Sequence, residues 1–456
     1  MQNGFEIIID DQLGRGGECR VWCGELIRRI AGRREIYLGK FGETNAVVKV
    51  FTSKLHGGRH LRREVKGFGT LADAGICTAK VLAAGSDQMG RRVLVLEEIS
   101  NARTVSSLAV EPGKGIEAVL EAEFQIVGQM HEAGIVQRDL HLGNFLWDGQ
   151  RVYAIDPAEM RMRRRSISRK ESLRQLGVLF ASLGEEHWRD KSRLIAAYLR
   201  RRNWEGEASS FEEEVEAQVV RERAHRAVKW AWKAFRNCKK NLKFQYDGCS
   251  GVVSRDCFEG VNVGEFVESI DLKMEENVLK RGNTSFVSRV TVGGRDVVVK
   301  RYNHKGFWHS VRYTAKGSRA RKCRFFGERL VNLGIATARP LGFVEKRRWG
   351  IIWQSYLITE YVSGIGLAEM VTSDSYTDGQ KKKAVAKGRA LIQEMSRYGI
   401  VHGDMKLSNI MMVGEKAMLI DLDSMRSFRS AILREIYGKR MVDYFEYRLG
   451  KLDGNF

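Results

Sequence analysis

The sequence predicts an α+β chain assembled as two copies of one plan in tandem, and three observations point there. The first is an internal repeat. GIVQRDLHLGNFLWDGQRVYAID at 134–156 aligns without a gap with GIVHGDMKLSNIMMVGEKAMLID at 399–421. The second lies upstream, where the strand-like runs VVKVF and VVVKRY carry Lys49 and Lys300. Each is followed by a basic helical stretch and a matching turn, LADAGICTAKVLAAG in one copy and LVNLGIATARPLGF in the other. The third is FEEEVEAQVVRERAHRAVKWAWKAFRNCKKNLKF between the copies. It reads as one long helix, acidic at its start and basic at its end, as the helix dipole favours.

A chain of 456 residues is too long for one ordinary core. The expected division is a first domain at 1–205, a helical linker at 206–245 and a second domain at 246–456. Hydrophobic residues make up 43% of the chain and charged residues 29%, a globular balance that excludes a disordered chain. The formal net charge of +21 attracts anionic partners without choosing among nucleic acid, acidic lipid and phosphorylated substrate. No nucleic-acid module accompanies that charge, so nucleic acid is not expected as a partner. No run approaches the roughly 18 apolar residues of a membrane span, and MQNGFEIIIDD lacks the features of a signal peptide. A cytoplasmic or peripheral protein is expected. The seven cysteines form no CxxC pair and read as reduced thiols, with Cys238, Cys249 and Cys257 too loosely spaced for a convincing zinc site.

Within the repeat, the polar residues recur in order. Asp139 and Asp404 are each followed five residues later by an asparagine, Asn144 or Asn409, and seventeen residues later by a second aspartate, Asp156 or Asp421. Between them, FLW and YAI in one copy and IMM and MLI in the other read as short strands joined by a Gly-containing turn. A lone strand lysine or loop aspartate is usually solvated surface. Four such residues in the same order in both copies, the last three at identical spacing, are not. Phosphoryl transfer needs this set: a lysine on the nucleotide phosphates, an aspartate to orient the hydroxyl and accept its proton, and an asparagine plus an aspartate for magnesium.

The arrangement resembles the protein-kinase-like superfamily, whose D-x-x-x-x-N loop is followed by a metal-binding aspartate at a strand end. The resemblance implies two bilobal domains, each with a small antiparallel-sheet lobe and a mostly helical lobe, and it implies ATP and Mg2+ as cofactors. LGRGGECRVW places Gly14 and Gly16 at the first two glycines of the phosphate loop and Val21 at its valine, with Cys19 in place of the third glycine. The second copy keeps only Gly282 in KRGNTSFVSRV, where Asn283-Thr284-Ser285 could supply backbone donors. Glu64, eleven residues before Gly75, fits the glutamate that pairs with Lys49. Eleven residues before Gly334 stands Cys323, and Glu328 lies about 140° further around the helix, so Lys300 is expected to lack that partner.

QRDLHLGN and HGDMKLSN depart from the protein-kinase loop HRDLxxxN, and neither copy carries DFG or APE. The loop RDLHLGNFL, the motifs IDP and IDLD, and the turns GICTA and GIATARPLGF are similar to those of the lipopolysaccharide core kinases, which include heptose and Kdo kinases. That resemblance implies ATP-dependent phosphorylation of a sugar hydroxyl in a lipid-linked core oligosaccharide. It also implies an enzyme peripheral to the anionic cytoplasmic face of an inner membrane, to which a basic protein would be drawn. His141 and Lys406 occupy the same place, two residues after the aspartate, where a cation could approach the transferring phosphate. His131 and His402 read as structural. Trp230, Trp232 and Phe235 among basic residues read first as packing of the linker helix and second as an interfacial helix. Two rival functions stay open: a small-molecule phosphotransferase of the aminoglycoside or choline type, and a scaffold in which one or both copies are pseudokinases.

Overall fold

The computed structural model describes residues 4–452 except 14–16, 54, 112–114, 205, 207, 304–305, 307–310, 312–313 and 429. The chain divides into two compact units, residues 1–222 and 223–456, and the dividing point falls inside the helix Ala208–Lys233.

In the first unit, alternation of apolar and polar residues builds a six-stranded antiparallel barrel. Its order is Phe5–Asp11, Gly17–Ile30, Arg34–Phe41, Thr44–Phe51, Arg92–Glu97 and Val81–Asp87, and Ile9 opposite Asp87 closes it. Ala46, Val48 and Val50 point into the barrel, so Lys49 points to the other face, as the two-residue period requires. On that face, Leu61 and Phe68 of the helix Gly57–Asp73 pack against Phe51, Leu94 and Leu96. The helix ends on a left-handed glycine, Gly75 (φ 67°), with the Ile76 N–H donating to the Leu71 carbonyl. A larger core around Leu120, Phe124, Phe145 and Tyr198 forms the lobe that follows, whose helices include Ile116–Glu132, Arg169–Phe180 and Lys191–Arg202.

The second unit repeats the plan on an open sheet of seven antiparallel strands. Their order is Asn241–Tyr246, Cys249–Ser254, Pro340–Arg348, Ile351–Glu360, Arg295–Tyr302, Ser285–Val292 and Val278–Arg281. The helix Arg319–Asn332 follows the Lys300 strand and ends like its counterpart, with Gly334 left-handed (φ 75°) and the Ile335 N–H on the Leu330 carbonyl. The long helices Asp378–Arg397 and Ala431–Gly450 pack in the lobe that follows.

The helix expected between the copies is shorter than the sequence suggested. It ends at Lys233, and Asn241–Tyr246 is a strand. Asp247 and Gly248, both at positive φ (37° and 69°), turn that strand back onto Cys249–Ser254, the two-residue hairpin that an Asp-Gly pair specifies. Within the second unit, Trp232 packs on Phe325 (ring centroids 4.8 Å apart) and Phe235 on Phe343 (5.5 Å), while Lys233 lies over the ring of Trp230; Trp230 and Trp232 are each about half exposed. Among the described residues no helix is long and apolar enough to cross a membrane.

Candidate active site

The same loop is built twice. In the first unit the Asn144 side-chain amide donates to the Asp139 carbonyl (2.6 Å), and the Asn144 carbonyl accepts the Ile155 N–H (2.8 Å). In the second, Asn409 donates to the Asp404 carbonyl (2.8 Å) and accepts from Ile420 (3.0 Å). These bonds hold the asparagine between the two aspartates of its own copy. The turn after the first helix locks onto the strand before the last aspartate, through Thr78 Oγ1 donating to Ala154 O and Thr337 Oγ1 to Leu419 O.

Each strand lysine reaches that last aspartate. Lys49 Nζ donates to Asp156 Oδ1 (2.7 Å), and Lys300 Nζ to Asp421 Oδ1 (2.9 Å). Burial by itself would lower both lysines, but the facing carboxylates outweigh it and hold them above the ordinary lysine value. Asp156 and Asp421 are likewise pushed up by burial and pulled further down by their lysines, so both carboxylates are held below the usual range. Asp156 adopts a left-handed backbone (φ 54°, ψ 56°), an uncommon conformation for a non-glycine residue and one that aims its carboxylate at Lys49. Behind it, Gly67 of the helix approaches Pro157 so closely that a β-carbon there would lie 2.5 Å from the proline ring.

Glu64 lies where the sequence placed it. Buried to 1% exposure, it accepts from Lys49 Nζ (2.7 Å) and from Arg34 (3.2 Å), and Arg34 also approaches Asp156 at 3.6 Å. Two cations and two carboxylates therefore balance in one cluster.

In the second unit Cys323 does occupy the glutamate's place. It is fully buried, with Sγ 3.3 Å from the Tyr302 hydroxyl, and burial raises its thiol to about 12. Glu328 points elsewhere, 3.6 Å from Arg324. Lys300 nonetheless has a second carboxylate: Asp423 Oδ2 stands 3.1 Å from Nζ and is gripped by Arg319 at 2.7 and 3.2 Å. Lys300 thus lacks the helix glutamate, as expected, and takes its second carboxylate from the turn after Asp421 instead. The motif IDLD was the only trace of it in the sequence.

The two loop aspartates differ in setting. Asp139 is exposed, with His141 Nε2 3.7 Å away and His141 Nδ1 accepting from the Gly143 N–H. Asp404 is bound by Lys406 (2.7 Å) and by the hydroxyl of Tyr444 (3.1 Å) from the last helix. Partial burial raises the Asp404 carboxyl, but Lys406 and Tyr444 together hold it below its ordinary value. Tyr444 was not foreseen, since forty residues separate it from the loop. His402 accepts the Asp404 N–H through Nδ1, and His131 meets the Tyr198 hydroxyl at 2.8 Å.

A cleft of about 610 Å³ in the second unit is lined by Gly282, Lys300, Asp404, Lys406, Asn409 and Asp421. Gly282 closes a hairpin turn over it, its N–H on the Ser285 carbonyl. Gly14 and Gly16 lie outside the described residues. Among the described residues no three His, Cys, Asp or Glu converge as a preformed metal site. One asparagine and one aspartate per unit are hard oxygen donors that suit Mg2+, with nucleotide oxygens and water completing the shell.

The family model described as "Lipopolysaccharide kinase (Kdo/WaaP) family" matches twice, over residues 18–198 and 270–431. No curated protein matches the chain. Among solved structures, WaaP in complex with acyl carrier protein is 23% identical over 42% of this chain and 88% of its own, with a TM-score of 0.31. The PknI kinase domain of Mycobacterium tuberculosis is 14% identical over 44% and 94% (TM-score 0.30). The bifunctional kinase-methyltransferase WbdD is 19% identical over 41% and 42% (TM-score 0.29). With one family model matching both halves, and more than half of the chain in all, the chain belongs to the lipopolysaccharide kinase (Kdo/WaaP) family.

Proposed function

We propose that this kinase transfers the γ-phosphoryl group of ATP, with Mg2+, to a sugar hydroxyl of the lipopolysaccharide inner core, on a heptose or on Kdo. The observation that carries this reading is the pairing made in both units, a strand lysine, buried in the first unit and partly buried in the second, hydrogen-bonded to the aspartate that follows the loop. In this reading both units bind nucleotide. ATP supplies the phosphoryl group and the metal ion neutralises its charge.

Lys49 and Lys300 hold the phosphates, and in the second unit the Asn283-Thr284-Ser285 turn after Gly282 supplies backbone N–H donors. Asn144 with Asp156, and Asn409 with Asp421, hold the metal. Asp139 and Asp404 orient the acceptor hydroxyl and take its proton. Lys406 presents positive charge beside the Asp404 carboxylate, and His141 takes the same place beside Asp139. The net charge of +21 favours an anionic, lipid-linked acceptor at the cytoplasmic membrane face.

The test is transfer of labelled γ-phosphate to purified inner-core acceptors, in parallel with aminoglycosides and choline, with the phosphorylated position read by mass spectrometry. Labelling of the core oligosaccharide supports the reading. Labelling of a small-molecule acceptor alone overturns the substrate assignment.

A further inference from the structure

The charge cluster around each lysine has the same composition but different sources. In the first unit the cations are Lys49 and Arg34, and the carboxylates are Asp156 and Glu64. In the second the cations are Lys300 and Arg319, and the carboxylates are Asp421 and Asp423. Strand register and the shared helix-to-turn geometry give the equivalent positions. Ile36 faces Lys49 as Val287 faces Lys300, so Ser285 takes the place of Arg34. The matched ends at Gly75 and Gly334 set Cys323 against Glu64 and Arg319 against His60. The aligned loops set Asp423 against Ala158.

A cation and an anion have therefore both changed elements. In the first unit the helix gives the carboxylate and the neighbouring strand gives the arginine. In the second the helix gives the arginine and the turn after Asp421 gives the carboxylate. Arg319 and Cys323 are four residues apart on one helical face, so the arginine that grips Asp423 stands one turn from the vacated glutamate position. Cys323 Sγ lies 3.7 Å from Asp423 Oδ1, so the thiol abuts the carboxylate that replaced its position's function.

We propose that Asp423, held by Arg319, is the positioning residue that sets Lys300 for nucleotide binding in the second unit, in place of the helix glutamate. The second unit is then a working nucleotide site rather than a vestige. This inference rests on the reading of the second unit as a nucleotide-binding domain.

The test uses the full chain carrying Lys49→Met, so that binding at the first unit is removed, and ATP with Mg2+ in isothermal titration calorimetry. One nucleotide per chain is expected to remain. Asp423→Asn should then weaken that binding about tenfold or more, the scale of one charge-assisted contact. Adding Cys323→Glu to Asp423→Asn should recover most of the loss, because it restores a carboxylate at the helix position. A merely structural role for Asp423 would show no such recovery. No binding to the Lys49→Met chain overturns the reading of the second unit as a nucleotide site. Binding that Asp423→Asn leaves unchanged, or a loss that Cys323→Glu does not recover, overturns the role of Asp423.

Discussion

Glu64→Gln removes one charge from the first unit's cluster while keeping the shape of the side chain. The carboxylate is 1% exposed and accepts from both Lys49 and Arg34, so the change leaves two cations facing Asp156 alone. Breaking a buried ion pair costs about 3–5 kcal/mol. Here the lower end applies, because Asp156 still holds Lys49 and both Arg34 and Asp156 are partly open to water. For a unit of this size about 3 kcal/mol corresponds to a fall in Tm of roughly 6–12 °C. Differential scanning calorimetry on the full chain reads it, with the first unit's transition identified as the one that the core truncation Phe124→Ala also lowers. A fall of less than about 2 °C would refute the claim that Glu64 anchors a buried cluster, since that is under 1 kcal/mol by the same conversion.

His131 is buried against Tyr198 and Arg202, and burial followed by the charge of Arg202 lowers its pKa to about 3. The unfolded chain binds that proton below about pH 6.5 and the native one does not, so stability falls as the pH drops from 6.5 toward 3. Chemical denaturation at pH 7 and pH 5 should show a loss of about 2 kcal/mol from this group, absent in His131→Gln. Tyr444→Phe should reduce turnover in the second unit roughly three- to tenfold, because one of two groups orienting Asp404 is lost while Lys406 remains, as steady-state rates in a chain carrying Asp139→Ala would show. Gly67→Ala forces the Glu64 helix away from Pro157 and should cost about 1–3 kcal/mol in urea unfolding, with weaker nucleotide binding at the first unit.

What could be read from the sequence was what recurs at fixed local spacing. The loop residues Asp139, Asn144, Asp404 and Asn409 lie within short, ungapped stretches, and the structure places them in two matching turns. The Lys49–Glu64 pair could be read because a helix follows its strand directly. Asp423 could not, because its approach to Lys300 depends on how the chain turns after Asp421. Arg34 and Tyr444 escaped for the same reason, since each acts across an interval that no local pattern encodes. Closure of the first sheet rests on Ile9 meeting Asp87, a pairing set by barrel curvature rather than by alternation. The strand Asn241–Tyr246 was hidden in an apparent helix by the continuing run of basic residues, although the Asp-Gly pair after it marked the hairpin.

The most direct test of a two-site lipopolysaccharide kinase is phosphoryl transfer from ATP to purified inner-core acceptor by the intact chain, Asp139→Ala, Asp404→Ala and the double variant. Partial loss in each single variant and complete loss in the double one is the expected result. Four equally inactive proteins that still bind ATP, or a double variant as active as the intact chain, would contradict it.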